Sequence, residues 1–445
     1  MGARGFSLDV RSWKFDVRCS SFSPWTSPTL KSSPESIAVI GAFVAYHLAR
    51  KGCQVTVIEK GGFGRGSSWG NCGIILPSHL LPLNSVENVV HGLRWTLKRD
   101  APFYVRPRLD PALASWLAGF AVRCTPAARH RSAAALAAVL DGAPDAYAEI
   151  VEKEKIRCRW QRGGAIFLFR TAAGLDGRAV AETETRRYAK GCTPLPLKSL
   201  QEMEPAAGPS VAGAWMDEDA AHLMPDALMT EMKQVLERLG VAVKENTAFF
   251  RFDAEKGRAV SARTSAGRID ADAFVVATGA WTPLLSRALG VRLPIQPGKG
   301  YSVTLEGTDR PPLQPCFFEE AHSVVTPRPN GMRLGGTMEF SGYDDRLDRI
   351  RIEALFRAAG RYLNIRHFGR RIEEWCGWRP MTVDGVPVID RLPEMENVVV
   401  AAGHNMLGLS LAPVTGKMVA AMLLGEEPPV DPAPYRLARF GRLVK

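Results

Sequence analysis

Residues 37–59 constrain the fold more than any other stretch. Ile37-Ala38-Val39-Ile40 is a short continuous apolar run ending in Gly41-Ala42, the pattern of a strand buried on both faces of a parallel sheet. Phe43 to Arg50 then has helical spacing, with Phe43, Val44, His47 and Leu48 near one face. Lys51-Gly52 places glycine at the expected C-cap. Gln54-Val55-Thr56-Val57-Ile58-Glu59 reads as a second strand ending in a carboxylate. Strand, helix and strand form a βαβ unit, which is right-handed almost without exception and puts the chain in the α/β class.

Downstream, residues from about 84 to 150 read as helical and rich in Ala, Leu and Trp. Gly163–Arg170 is strand-like, and Asp226–Leu239 is an amphipathic helix stopped by Gly240. Val241 to Val276 alternates in short strands around a turn at Glu255-Lys256-Gly257. Pro329-Asn330-Gly331 marks a hairpin. Asn397–Ala402 is another buried strand, followed by a loop at Gly403–Gly408 and a helix to about Leu424. Residues 1–36 hold nine serines and three prolines with no apolar period, and read as an unstructured leader. Asp9, Asp16 and Glu35, with no apolar core, argue against a targeting peptide.

Composition narrows the function. At 445 residues with 46% hydrophobic and 23% charged side chains, the chain is ordinary for a globular protein. It has no uncharged apolar run of the ~18 residues a spanning helix needs. The net charge of +11 is spread along the chain without a recognition motif, so no nucleic-acid partner is expected. The tail repeats Arg436, Arg439, Arg442 and Lys445, a candidate peripheral contact with anionic lipid or simply a solvated basic end. The eight cysteines lack C-x-x-C spacing and the histidines lack H-E-x-x-H, so reduced thiols, no metal and a cytoplasmic setting are expected, at most peripheral on the inner face of a membrane.

Three features point to a bound dinucleotide. Glu59 lies ~20 residues after the first glycine, where a carboxylate accepts hydrogen bonds from ribose hydroxyls. Ala277-Thr278-Gly279-Ala280-Trp281 follows an apolar strand and lets backbone approach a ligand closely. Gly377-Trp378-Arg379-Pro380, Asp384-Gly385-Val386-Pro387 and Gly403-His404-Asn405-Met406-Leu407-Gly408 come later, the last feeding a helix start able to stabilise negative charge. With Ser67-Ser68-Trp69-Gly70-Asn71-Cys72-Gly73, Arg106-Pro107-Arg108-Leu109-Asp110, Lys299-Gly300-Tyr301 and Pro434-Tyr435-Arg436, these motifs give a sequence that resembles the FAD-dependent D-amino-acid oxidase/dehydrogenase superfamily over about residues 37–440, and within it the bacterial D-amino-acid dehydrogenase small subunits.

The resemblance implies an α/β flavoprotein: an FAD-binding Rossmann-like domain of glutathione-reductase type and a second, mixed-sheet α+β substrate domain. The expected FAD domain is discontinuous (37–100, 222–290 and 376–435), with 101–221 and 291–375 as substrate domain. By the same resemblance Gly41 and Ala42 would turn beside the pyrophosphate, and Glu59, with Lys60 beside it, would hold the adenosine ribose. Ser67, Ser68, Asn71 and Gly73 would line the pyrophosphate and isoalloxazine path, and Thr278, Gly279 and Trp281 would pack near the adenosine. Gly403, Leu407, Gly408, Leu409 and Ser410 would face the flavin pyrimidine edge. Arg379 matches the arginine that clamps a substrate carboxylate, and Tyr301 either adds a hydroxyl to that carboxylate or is simply packed. The implied reaction is oxidation of the Cα–N bond of a D-amino acid, or a related secondary amine, with hydride passing to flavin N5 and the imine hydrolysing to a 2-oxo acid and ammonia. The electron acceptor is a quinone of the respiratory chain or O2. A glycine/sarcosine-type oxidase and a non-catalytic remnant of the fold are the alternatives.

One departure matters. The family reads roughly Val-Ile-Gly-Ala-Gly-Ile-Val-Gly-Ala, whereas here Ile40-Gly41-Ala42 runs straight into Phe43, five residues short. Two of three glycines are gone, and with them donors that would meet the pyrophosphate. An error in the gene sequence, a true variant with weakened FAD binding and a decayed non-enzyme all fit this gap.

Overall fold

A helix returning the chain between two parallel strands has to span them. Gln54–Glu59 is six residues, ~20 Å of strand. The eight residues Phe43–Arg50 supply only ~12 Å of helix. In the computed structural model, which describes residues 14–19, 39–85 and 100–444, the helix instead runs from Val39 to Arg50, twelve residues and ~18 Å. Val39 and Ile40, expected in the first strand, therefore form the first helical turn. Gly41 and Ala42, expected in the turn before the helix, are buried inside it. Ile37 and Ala38 lie outside the described residues.

The vacated place is filled from the leader, which is not unstructured throughout. Lys14–Cys19 is a strand lying between Gln54–Glu59 and Ala273–Val276 and parallel to both. An empty place there would leave the facing backbone groups of two buried strands without partners.

The resulting six-stranded sheet continues through Ala242–Lys244 on one edge and Met395–Ala402 and Val388–Leu392 on the other, the last pair antiparallel. One face packs on the helices Val39–Arg50 and Gly408–Leu424, where Phe43, Val57, Val275, Val399 and Leu411 meet. The other face, with Ile58, Phe274 and Val400, is covered by a three-stranded antiparallel sheet, Phe249–Asp270. The helices Pro126–Leu140 and Ala143–Glu154, expected with the substrate domain, join the first of these cores through Leu136, Val139 and Tyr147.

A nine-stranded mixed sheet forms the second layer system. Its order runs Arg370–Thr382, Ile295–Glu306, Gly331–Phe340, Ser323–Arg328, Cys316–Phe318, Ala165–Phe169, Gly213–Asp217 and Thr193–Leu195, with Phe103–Val105 beside Gly331–Phe340. The expected boundary at residue 376 thus falls inside one strand. The helix Arg349–Tyr362 covers one face through Ile352, Leu355 and Tyr362. The C-terminal segment packs back on the first sheet: Arg439 binds Asp384 at 2.8 Å and the Val386 carbonyl, so it is not free for lipid, whereas Arg436 is exposed. No helix among the described residues is long and apolar enough to cross a membrane.

Candidate active site

The loop after Gln54–Glu59 joins the two layer systems. Ser67 Oγ donates to the Trp378 carbonyl at 2.8 Å, and Ser68 Oγ accepts the Val39 N–H at the start of the first helix, 3.0 Å away. Asn71 Oδ1 accepts the Gly73 N–H, and Ser410 Oγ accepts the Leu76 N–H. Gly73 must be glycine: its φ is +79°, and a Cβ would lie 1.9 Å from the Leu223 carbonyl oxygen.

Arg379 lies across the nine-stranded sheet on the face turned toward this loop. A Cβ on Gly300 would sit 2.4 Å from Arg379 Nη1, and one on Gly335 would sit 2.3 Å from Cys72 Sγ, so both glycines clear the same face. Met338 and Met381 crowd Gly298 in the same way and form an apolar wall. Arg379 Nη1 donates to the Thr337 carbonyl at 2.7 Å. Thr337 is β-branched yet has φ +60°, and it follows a shift in register against Ile295–Glu306, a bulge that turns its carbonyl to the guanidinium. Burial pulls the Arg379 pKa down to about 10, Cys72 opposing and Arg351 adding to the effect; no carboxylate among the described residues acts on it. A partly desolvated guanidinium without a carboxylate partner among the described residues is ready to take a carboxylate bidentately.

Tyr301 belongs to the opposite face. Side chains alternate along a strand, so Tyr301 points to the helix Arg349–Tyr362, 2% exposed, and donates to Glu339 Oε2 at 2.6 Å. Glu339 also lies 3.5 Å from Arg351 Nε. Of the two readings given to Tyr301, packing is the one the geometry favours.

The other expected residues gather at the edge of the first sheet. Glu59 is fully buried at the end of its strand, its Oε1 accepting the Gly61 N–H at 3.0 Å; Lys60 beside it is half-buried. Thr278 bonds Thr282 at 2.8 Å. Gly279 has φ +53° with nothing within 4 Å of a Cβ position, an open surface of backbone. Trp281 packs edge-on against Trp378, ring centres 5.7 Å apart. Gly403, φ +76°, is held by Asn405, whose amide also bonds Thr382 and the Gly385 carbonyl. Leu407 precedes the helix Gly408–Leu424, whose first-turn N–H groups lack intrahelical partners. The Leu409 carbonyl takes the Tyr147 hydroxyl at 2.7 Å. A narrow cavity lined by His79, Asn84, Phe120, Met381, Asn405 and Leu407 opens beside it.

These residues fit a dinucleotide at its two ends: a buried carboxylate at a strand terminus, open glycine backbone at Gly279 and a free helix start at Gly408. The pyrophosphate corner fits less well. Val39 and Ile40 put branched side chains on the first helical turn, and the Val39 N–H is already bonded to Ser68.

Sequence reasoning missed Thr337, Met338, Arg333 and Glu373. The glycine pair Gly335-Gly336 inside an apolar strand was the available signal of close approach to that face.

Two expectations arise here. Gly300→Ala should push the guanidinium aside and raise KM for a carboxylate substrate at least ~10-fold with the circular dichroism spectrum unchanged; a KM within a factor of two would count against the placement of Arg379. Burial holds the pKa of His222 at about 4 and that of His404 at about 3. Both lie below the unfolded value, so their stabilisation is complete above pH ~6.5 and drains away as pH falls toward 4. Unfolding free energy should fall between pH 7 and 5 by about 1 kcal/mol per histidine per pH unit, thermal midpoints should drop with it, and His222→Gln should flatten the fall.

A parallel-sheet layer with dinucleotide features, coupled to a mixed sheet carrying an arginine with no carboxylate partner among the described residues, points to a flavoprotein oxidoreductase. Residues 39–422 match the family model described as FAD dependent oxidoreductase (DAO), and the chain belongs to that family: it is an enzyme and its cofactor is FAD. It is 32% identical over 419 residues to a D-amino acid dehydrogenase of Methylobacterium radiotolerans, covering 90% of this chain and 97% of the relative. A D-amino acid dehydrogenase of Granulibacter bethesdensis is 30% identical with the same coverage. Among solved structures, glycine oxidase from Geobacillus kaustophilus superposes with a TM-score of 0.71 at 22% identity, over 96% of this chain and 99% of that one. L-proline dehydrogenase from P. horikoshii gives 0.70 at 19%, over 96% and 98%. These two likenesses concern the fold.

Proposed function

We propose that this flavoenzyme oxidises the Cα–N bond of a D-amino acid, giving an imino acid that water hydrolyses to a 2-oxo acid and ammonia. The reading rests on Arg379, a half-buried guanidinium with no carboxylate partner among the described residues, on the sheet face turned toward the Ser67–Gly73 loop. Arg379 would hold the substrate carboxylate by two parallel N–H···O bonds and so fix the direction of the Cα–H. Thr337 holds the guanidinium in place, while Met338 and Met381 keep water from the reacting carbon. Bound FAD supplies the two-electron sink; Glu59, Ser67, Ser68, Asn71, Gly279, Trp281 and Gly403 to Ser410 would hold it. No general base is required, because a neutral amine supplies its own lone pair. The D-amino acid dehydrogenases of similar sequence support the substrate class.

The test is anaerobic mixing of FAD-loaded protein with a panel of D- and L-amino acids, glycine and sarcosine while following flavin absorbance near 450 nm. Bleaching by D-amino acids ahead of the rest is expected. Bleaching by none, or by sarcosine alone, would sink the reading. Aerobic turnover then assigns the acceptor: peroxide release means O2, and dye or quinone reduction without peroxide means a dehydrogenase.

A further inference from the structure

A second arginine, this one fully buried, lies on the same sheet face as Arg379. Arg333, 1% exposed, directs every arm of its guanidinium to a partner. Nε donates to Thr304 Oγ1 at 2.9 Å, and Nη2 donates to Glu373 Oε2 at 2.8 Å with Asp226 Oδ2 at 3.7 Å. Nη1 donates to two backbone carbonyls, those of Trp69 and Asn71, each at 3.0 Å. Thr304, Glu373 and Arg333 belong to the nine-stranded sheet; Trp69 and Asn71 belong to the loop carrying Ser67, Ser68 and Gly73. Glu373 reaches the same loop from its other oxygen, which accepts Trp69 Nε1–H at 3.0 Å.

Two glycines bring loop and sheet this close. A Cβ on Gly70 would fall 2.1 Å from the Trp375 ring, and one on Gly335 would fall 2.3 Å from Cys72 Sγ. Thr304 and Gly300 are on one face, four residues or ~13 Å apart along one strand. The clamp on the loop and the anchor for the substrate carboxylate thus flank one strand, Ile295–Glu306, from its two neighbours.

We infer that Arg333 is a positioning residue: by gripping two loop carbonyls it fixes the height of the Ser67–Gly73 loop over the sheet, and with it the distance from cofactor to the carbon held by Arg379. The loop's part in cofactor binding and the role of Arg379 are those of the proposed function, on which the catalytic half of this inference rests. A planar guanidinium can span two carbonyls while also bonding a carboxylate; an ammonium cannot reproduce that fork. Removing a buried charge outright would strand Glu373, so the informative variant keeps the charge.

The experiment compares FAD-loaded wild type with Arg333→Lys and Glu373→Gln by two readouts. The first needs no turnover: alkylation of Cys72 by iodoacetamide, followed by peptide mass spectrometry. Release of the loop should speed Cys72 modification about 10-fold in Arg333→Lys and about 3-fold in Glu373→Gln, with thermal midpoints within ~3 °C of wild type. Should Arg333→Lys fail to fold, Glu373→Gln carries the same decision. The second readout is the rate of flavin reduction at saturating D-amino acid, expected to fall at least 10-fold in Arg333→Lys while FAD affinity changes less than 3-fold. Unchanged Cys72 labelling overturns the clamp, and accelerated labelling with an unchanged reduction rate overturns its role in positioning. Absence of flavin reduction in the wild type itself overturns the substrate reading instead, leaving the labelling result to judge the clamp alone.

Discussion

Arg379→Met is expected to lower kcat/KM for a D-amino acid by roughly 10²–10³-fold while leaving the thermal midpoint unchanged or slightly raised. The loss follows from leaving the substrate carboxylate without its charged partner in a half-buried site. Truncating one member of a desolvated charge pair typically costs about 3–5 kcal/mol, and each 1.4 kcal/mol is tenfold. The stability half has the opposite sign. In the folded chain the guanidinium has lost part of its hydration, which pulls its pKa down to about 10, and among the described residues Thr337 compensates it with a strong hydrogen bond. Methionine fills much of the same volume without that cost. An arginine whose task is to tie down its own loop would behave in reverse, with a fall of several degrees and nearly normal kinetics in whatever protein folds. Calorimetry and steady-state kinetics on one preparation separate the two. Arg379→Lys should fall between, since it keeps the charge and loses the fork.

Arg379 and Tyr301 illustrate what the sequence could and could not convey. Both sit in recognisable motifs, and both types suit a carboxylate. What separates them is the face of the sheet. Strands with one wet face reveal it by alternating polarity, but Ile295–Leu305 is buried at every position, because a helix covers one side and the Ser67–Gly73 loop approaches the other. No alternation survives in such a strand for a reader to use. Arg333 was hidden for a related reason. A fully buried arginine is rare, and its partners are two backbone carbonyls from a segment more than 260 residues away. By contrast Glu59, Gly279 and the Gly403–Ser410 turn were legible because local rules fix them: a strand ending in a carboxylate, a left-handed glycine, a helix start.

The first strand is the larger correction, and its cause is length. Ile37–Ile40 has every local mark of a buried strand, and Lys14–Cys19 sits in a serine-rich leader. Local preference lost because the Gly41-Ala42 link left too few residues for a helix able to span Gln54–Glu59. Val39 to Ala42 were drawn into the helix, where all four are buried.

This competition makes the second large prediction. Inserting Gly-Ile-Val-Gly-Ala between Ala42 and Phe43 should tighten FAD binding at least ~100-fold and make the first twenty residues dispensable. With five more residues the helix can begin within the insertion and keep its full length, Ile37–Ile40 can return to the central strand, and the turn regains two glycines whose N–H groups face the pyrophosphate. Each hydrogen bond to a charged group contributes about 1.5–3 kcal/mol, so two account for the gain. The chain without the insertion should shed FAD on desalting, and deleting residues 1–20 from it should remove the strand between Gln54–Glu59 and Ala273–Val276 and abolish cooperative unfolding. The same deletion in the inserted chain should leave the thermal midpoint within a few degrees. Two observations would each break the argument: full retention of the 450 nm flavin band by the original chain after desalting, or an inserted chain that still requires residues 1–20. The first would mean that Val39 and Ile40 leave room for the diphosphate, and the second that Lys14–Cys19 holds its place for reasons other than helix length.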